Sequence, residues 1–185
     1  MVPQIGGILG NMVRIEQGFF ENHVVEVAQE LLGKILVFQQ YQGIIIETEA
    51  YRGMDDEASH AFKGPTNRAR IMFGSPGVSY VYMIYGMYHC LNIVTEPLGQ
   101  PSAVLIRGLK LLSPSSLLLD GPGKICRTLG ISLTHNGIDI TTNDALYVLD
   151  NDTTSLVANQ QFIATKRIGI NKATDKLWRF IVKEL

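Results

Sequence analysis

Glutamate and tyrosine, closely spaced, carry the chemistry legible in this chain. Glu47-Thr48-Glu49-Ala50-Tyr51 is followed by His60 and then by Ser79-Tyr80-Val81-Tyr82-Met83-Ile84-Tyr85-Gly86-Met87-Tyr88. A carboxylate among apolar neighbours is partly stripped of water, which makes it a stronger base toward a water molecule. Aromatic faces beside such a base can trap a flat ring. Together they suit the hydrolysis of a bond attached to that ring.

Strand alternation places Ile44, Ile46, Thr48 and Ala50 on one face and Ile45, Glu47, Glu49 and Tyr51 on the other. Glu49 therefore shares a face with Tyr51, but so does Glu47, and alternation does not choose between them. A solvated face is the plain alternative for both. In the tyrosine-rich segment, Tyr80 and Tyr82 point one way and Val81 and Met83 the other. Tyrosines on a core strand are common. The tip Tyr85-Gly86-Met87 is less ordinary, because a turn beside a glycine normally carries polar residues. Minor-groove proteins insert apolar wedges of this kind between base steps, where unstacking costs roughly a few kcal/mol per step.

The remaining candidates are weaker. His23, His89 and His135 lack metal-ligand spacing, so no metal is expected. Gly121-Pro122-Gly123-Lys124 is too short for a P-loop, although a helix start with one lysine suits a single phosphate. Ser113 to Ser116 shows no nucleophile elbow. No cofactor is called for.

The elements that must position these residues follow from periodicity. Residues 20–32 read as an amphipathic helix with Phe20, Val24, Val27, Ala28 and Leu31 on one face, ended by Gly33. Residues 34–38 and 44–51 read as a hairpin around a polar turn at 39–43. The segment 53–76 is a long polar connection, a length that compact domains keep for functional loops. Strands are expected at 78–84, 88–95 and 103–109, and 113–120 reads as a serine- and leucine-rich connection. A helix opens at Gly121-Pro122-Gly123-Lys124 and ends at Gly130. Asn136-Gly137 signals a turn, and short strands follow at 146–149, 162–164 and 178–182. The expectation is one α+β domain over residues 1–185: a curved antiparallel sheet flanked by helices, with a protruding β-hairpin. Residues 1–18 are expected to be loosely ordered.

At 185 residues, 46% hydrophobic and 18% charged, the chain can bury a core without disulfides or metal. Cys90 and Cys126 sit in apolar contexts and read as buried free thiols. No secretion signal or membrane-length apolar run is evident, so an intracellular protein is expected, in the cytoplasm and nucleoid of a bacterium or the nucleus of a eukaryote. The net charge of -1 argues against a strong polyanion binder. Placement matters more than the total, and Lys63, Arg68 and Arg70 form a local basic group, as do Lys124 and Arg127, and Lys166, Arg167 and Lys172.

Taken in order, Glu47-Thr48-Glu49-Ala50-Tyr51, Asp56-Glu57-Ala58-Ser59-His60, Met72-Phe73, Tyr80-Val81-Tyr82-Met83-Ile84-Tyr85-Gly86-Met87, Asn92, Arg107 and Gly121-Pro122-Gly123-Lys124 resemble the alkyladenine (3-methyladenine) DNA glycosylases of the human type. The resemblance spans residues 19–182. It implies a monofunctional, monomeric glycosylase that flips a damaged purine out of double-stranded DNA and hydrolyses its N-glycosidic bond. By that resemblance Glu49, rather than Glu47, is the general base, and Arg107 holds the water or a nearby phosphate. Tyr51, His60 and Tyr82 would sandwich the flipped base, with Asn92 beneath it, clashing with the amino group of normal guanine. Tyr85, with Gly86 and Met87 at the hairpin tip, would fill the gap in the duplex, and Arg68 and Lys124 would contact phosphates. The loop Thr66-Asn67-Arg68-Ala69-Arg70 departs from the family's Pro-Arg-Asn order, and Lys166-Arg167-Ile168-Gly169 resembles its pocket-rim strand only loosely. The rival expectation, from a different class, is a non-catalytic nucleic-acid binding module with a tyrosine stacking platform, for which Glu49 would be dispensable.

Overall fold

The computed structural model describes residues 12–151 and 161–183. In chain order the elements are β1 (Met12–Arg14), α1 (Gln17–Phe20), α2 (Val24–Glu30), β2 (Ile35–Phe38), β3 (Tyr41–Arg52), β4 (Ser79–Ile84), β5 (Tyr88–Val94), β6 (Ser102–Ser113), β7 (Leu117–Asp120), α3 (Pro122–Leu129), β8 (Leu146–Asn151), β9 (Phe162–Thr165) and β10 (Arg179–Val182). Short 3₁₀ turns lie at Gly53–Asp55, Ala69–Phe73 and Leu133–His135. The strands form one sheet in the order β1-β8-β2-β3-β6-β5-β4, with β10 beside β3, β9 beside β10, and β7 beside β6. Every pairing among the described residues is antiparallel, and the architecture is α+β.

The spine is the long β3–β6 ladder, and each of its strands changes its outer neighbour part-way along. The first half of β3 pairs with β2 and the Glu47 to Glu49 stretch with β10. Ala103 to Leu105 of β6 pair with β5, and Gly108 to Leu111 with β7. The change of neighbour coincides with a break in register. Ile45 faces Leu109 and Glu47 faces Gly108, but Thr48 faces Ile106, so Ile46 and Arg107 are both extra residues. Such bulges bend a strand and re-aim the side chains that follow.

The bulge also divides the faces. Ile45, Thr48 and Ala50 point to the side covered by α2 and α3, in the main core with Val24, Val27, Ala28, Ile106, Ile125 and Leu129. Thr48 Oγ1 donates to the Ala28 carbonyl at 2.7 Å, tying β3 to α2. Glu47, Glu49 and Tyr51 point to the opposite side. Unbroken alternation puts Ile45 with the glutamates; the extra residue at Ile46 shifts the phase and moves Ile45 into the helix-covered core.

Other differences from the sequence expectations have local causes. The helix expected over residues 20–32 is two helices, broken at residues 21–23. Asn22 Nδ2 donates to the Phe19 carbonyl at 3.0 Å, and His23 caps α2 by accepting the Val25 N–H at 3.3 Å. The expected helix-face residues are nonetheless all buried. The turn expected at 39–43 is only the two residues between paired Phe38 and Tyr41, with Gln39 at positive φ. The connection expected at 113–120 contains β7, hidden in sequence by Leu117-Leu118-Leu119, of which only Leu119 is buried. Within the stretch 1–18 expected to be loosely ordered, Met12–Arg14 is strand β1, paired with β8, Ile15 is buried and Gln17 and Gly18 begin α1; residues 1–11 lie outside the described residues. Cys90 and Cys126 are buried and free. No helix among the described residues is long and apolar enough to cross a membrane.

Gly108 makes the paired bulge possible. A Cβ there would lie 2.8 Å from Glu47 Cβ and 2.9 Å from Ile46 Cγ1, so Gly108→Ala should destabilise the fold by about 1–3 kcal/mol, the range for overpacking. Gly18→Ala meets nothing within 4 Å and should change stability by less than about 1 kcal/mol. Urea unfolding midpoints of the two variants check the contrast.

Candidate active site

Glu49 sits on β3 just past the bulge, and its side chain has no exposed surface. A buried carboxylate needs donors and a compensating charge, and three separate segments supply them. The Tyr51 hydroxyl donates to Oε2 at 2.7 Å. The Ile168 N–H, 119 residues away in sequence, donates to Oε1 at 2.8 Å. Arg107, the bulged residue of β6, brings Nε to 3.6 Å from the same oxygen. Burial raises the pKa of Glu49 above its ordinary value, against the opposing pull of Arg107, the Ile168 N–H and the Tyr51 hydroxyl. Burial, and then the charge of Glu49, push the Tyr51 hydroxyl far upward, so it remains a donor.

Glu47 is placed differently. Its Oε1 accepts from Arg179 Nε at 2.5 Å and from Arg107 Nε at 3.1 Å. Two guanidiniums occupy that carboxylate, whereas Glu49 meets a hydroxyl, an amide and a more distant arginine. The geometry thus separates two glutamates that alternation could not.

On the same face of the sheet lies a cavity of about 560 Å³, lined by Tyr51, His60, Tyr82, Asn92, Arg107 and Ile168 among others. Glu49 stands behind that wall, and each of the three groups touching it is part of the lining. The His60 and Tyr82 rings meet edge to face at 4.7 Å, and Tyr80 lies 5.3 Å from Tyr82 at a 38° tilt. His60 Nδ1 is 2.8 Å from the Tyr80 hydroxyl. Partial burial, and then the charge of Arg68, lower the His60 pKa and favour a neutral ring. Arg68 itself is exposed, its guanidinium 5.9 Å from the Tyr82 ring centre. Asn92 is buried, and its Nδ2 donates to the carbonyls of Tyr80 at 3.0 Å and Cys90 at 3.4 Å, which leaves the side chain little freedom to rotate.

The hairpin tip closes one end of the cavity. Tyr85 is 87% exposed yet also contributes to the lining. Tyr85 and Gly86 both have positive φ, at 51° and 69°, and the Met87 N–H returns to the Ile84 carbonyl at 3.2 Å. This is a type I′ turn with a tyrosine where Asn, Asp or Gly is usual. Opposite it, Gly121, Pro122, Gly123 and Lys124 at the start of α3 complete the lining, and Lys124 Nζ lies 2.6 Å from Asp120 Oδ1. A Cβ at Gly123 would come to 3.2 Å from the Tyr88 ring, close enough that the ring would have to give by a few tenths of an ångström.

The structure thus gathers Tyr51, His60, Tyr82, Tyr85, Asn92, Arg107 and Lys124 around one cavity, with Glu49 directly behind. Gly86, Met87 and Arg68 stand outside it, the first two on the hairpin tip and Arg68 over the aromatic rim. Two of the three weaker histidines have structural work: His23 caps α2, and His135 Nδ1 accepts the Ser132 N–H at 3.0 Å. Among the described residues no three His, Cys, Asp or Glu side chains cluster as a metal ion would require. Asp56 and Arg167, given no role by sequence, form a fully buried ion pair, with Arg167 also 4.7 Å from the Tyr51 ring centre. More than a hundred residues separate them, and no local pattern signals their meeting.

Comparisons with known proteins identify the chain's relatives. The chain is 50% identical over 173 residues to a protein of Ehrlichia ruminantium (strain Welgevonden), covering 92% of this chain and 90% of the relative. It is 47% identical over 177 residues to a protein of Rickettsia felis, covering 96% and 97%. It is 50% identical over 173 residues to one of Sodalis glossinidius, covering 94% and 98%. All three carry the provisional name 3-methyladenine DNA glycosylase. The profile of the methylpurine-DNA glycosylases matches residues 18–185. The chain therefore belongs to the methylpurine-DNA glycosylase family, DNA-repair enzymes that hydrolyse N-glycosyl bonds.

Proposed function

We propose that this enzyme initiates base excision repair of alkylated or deaminated purines by flipping the damaged nucleotide out of duplex DNA and hydrolysing its N-glycosidic bond with water activated by Glu49. The observation that carries the reading is the placement of Glu49: a fully buried carboxylate whose three contacts all line an aromatic cavity of about 560 Å³, roomy enough for a purine.

Chemistry on a base requires its extrusion from the stack, and a damaged, weakly paired base is the least costly to extrude. Tyr51, His60 and Tyr82 then hold it, with stacking contributing roughly 1–3 kcal/mol per base. Asn92, fixed by two carbonyls, forms a rigid wall against the extra amino group of ordinary guanine. Tyr85, on a hairpin stiffened by its I′ turn, fills the space left in the duplex, with Gly86 and Met87 beside it. Arg68 and Lys124 meet phosphates, Lys124 by exchanging Asp120 for the DNA.

In the chemical step Glu49 takes a proton from water as the water oxygen bonds to the anomeric carbon. The C–N bond breaks, and its electron pair moves onto the purine. An N-alkylated purine carries positive charge and is neutralised as it leaves, so it needs no second carboxylate; a neutral one such as hypoxanthine must also take up a proton, from solvent water, as it departs. Arg107 steadies the Glu49 charge and the water. One chain carries every group the reaction uses, so a monomer suffices.

Glu49→Gln should lower base release from a duplex with one methylated purine, ethenoadenine or hypoxanthine by about 10²–10⁴-fold, the usual contribution of a general base, and leave duplex affinity unchanged. Turnover near the wild-type rate would remove Glu49 from this role and favour the binding-module alternative. The wild-type single-turnover rate should fall as pH drops through the Glu49 pKa, above its ordinary 4.5.

The same variant should raise Tm at neutral pH. Because folding raises the pKa of Glu49, its stabilising contribution is complete below the ordinary carboxyl range and is lost as pH rises through the folded value. The gain from glutamine should therefore shrink on acidification, which thermal melts across pH can follow. Tyr85→Gly should relieve the positive-φ strain and leave Tm equal or higher, while release from duplex falls about ten- to a hundred-fold and release from single-stranded lesion DNA falls much less. Equal losses on both substrates would contradict the proposed role of the tip.

A further inference from the structure

The geometry points to Asp56 and Arg167 as a positioning pair for the glycosylase reaction, a buried clasp that aims two hydrogen-bond donors at Glu49. Arg167 NH1 and NH2 meet Asp56 Oδ2 and Oδ1 at 2.5 and 2.8 Å, a bidentate fork with neither side chain exposed. NH1 also donates to the Ala50 carbonyl at 2.9 Å, one residue beyond Glu49, and NH2 to the Ala173 carbonyl at 3.3 Å. The guanidinium lies 4.7 Å from the Tyr51 ring centre and 5.4 Å from that of Trp178. Asp56 in turn accepts the Arg52 and Ala58 N–H groups, each at 3.2 Å.

Two groups tied to this pair donate to the base. Tyr51, under the guanidinium, gives its hydroxyl to Glu49 Oε2. Ile168, the next residue after Arg167, gives its N–H to Glu49 Oε1. The clasp thus fixes the ring from one side and the backbone of residues 167–173 from the other, and Glu49 is held between them. Among the described residues Arg167 Nε has no hydrogen-bond partner. An arginine fork can hold a carboxylate and two carbonyls at once in fixed directions; a lysine cannot.

Two single variants, Arg167→Lys and Asp56→Asn, and the double variant Asp56→Leu with Arg167→Met test the assignment, which rests on Glu49 acting as the base. Measured are Tm, affinity for a lesion duplex, and the single-turnover excision rate against pH. The single variants should excise about ten- to a hundred-fold more slowly with unchanged duplex affinity, as for groups displaced by about an ångström. Their acid limb should move to higher pH, because a carboxylate that loses an aimed N–H is protonated more readily. An apolar pair often replaces a buried ion pair at little cost, so the double variant should regain Tm while its rate and acid limb stay altered.

An unshifted acid limb in the folded single variants overturns the proposal. So does recovery of rate and limb together with Tm in the double variant, or failure of all three to fold, since either makes the pair a requirement of the fold itself. The underlying reading fails separately: Glu49→Gln turning over like wild type removes the base, whatever the clasp variants do.

Discussion

A carboxylate with no exposed surface, on a central strand, is the constraint around which this structure is arranged. Desolvating an ionised group costs several kcal/mol unless donors replace the lost water. Glu49 obtains donors from its own strand through Tyr51 and from a distant segment through Ile168, and a balancing charge from Arg107 on the neighbouring strand. Each donor demands backbone in a particular place. The paired bulge turns Arg107 and Glu47 toward one another, Gly108 lets the strands approach there, and β10 brings Arg179 to neutralise Glu47. Without Arg179, Glu47 and Glu49 would share one guanidinium, and two adjacent carboxylates would resist ionising together.

The sheet resolves the conflict between stability and chemistry by giving each a face. The helix-covered face is apolar, holding Val81, Leu91, Ile93, Val104 and Ile106 against α2 and α3. The other face carries Tyr80, Tyr82, Cys90, Asn92, Leu105 and Arg107 from the same strands. Period-2 alternation makes this possible, because each strand contributes to both at once. The strained groups collect on the second face: the buried Glu49, the positive φ of Tyr85 and the orphaned Arg167 Nε. A well-packed core on the other side lets the fold tolerate them.

Alternation and turn chemistry made much of this legible. Tyr80 and Tyr82 on one face, the hairpin tip, and the helix after Gly121-Pro122-Gly123 all follow from neighbours in sequence. The illegible parts depend on distant partners. Glu47 and Glu49 look equivalent until Arg107 and Arg179 divide them. Ile45 changes face because of an extra residue that no composition signal marks. The break before His23 is made by side-chain caps inside an otherwise helical apolar period, and β7 is masked because Leu117 and Leu118 are as apolar as buried Leu119. The ordered motifs pointed to the family; the contacts around Glu49 join segments too far apart in sequence for any local pattern to mark them.

The Asp56–Arg167 pair shows why such contacts escape both pattern and simple energetics. A buried ion pair adds little net stability, since the attraction mainly offsets the loss of water. Stability alone therefore gives no reason for a charged fork rather than two apolar side chains. Direction does: an apolar pair fills space but cannot hold the Ala50 and Ala173 carbonyls, a carboxylate and an aromatic face in one fixed relation. The donors to Glu49 lie within one residue of that relation or in contact with it. Where a carboxylate must be buried yet remain ionisable, a group that contributes little to folding can still set the direction of the N–H that reaches its oxygen. A pair that is close to neutral for folding can then have a large effect on the chemistry.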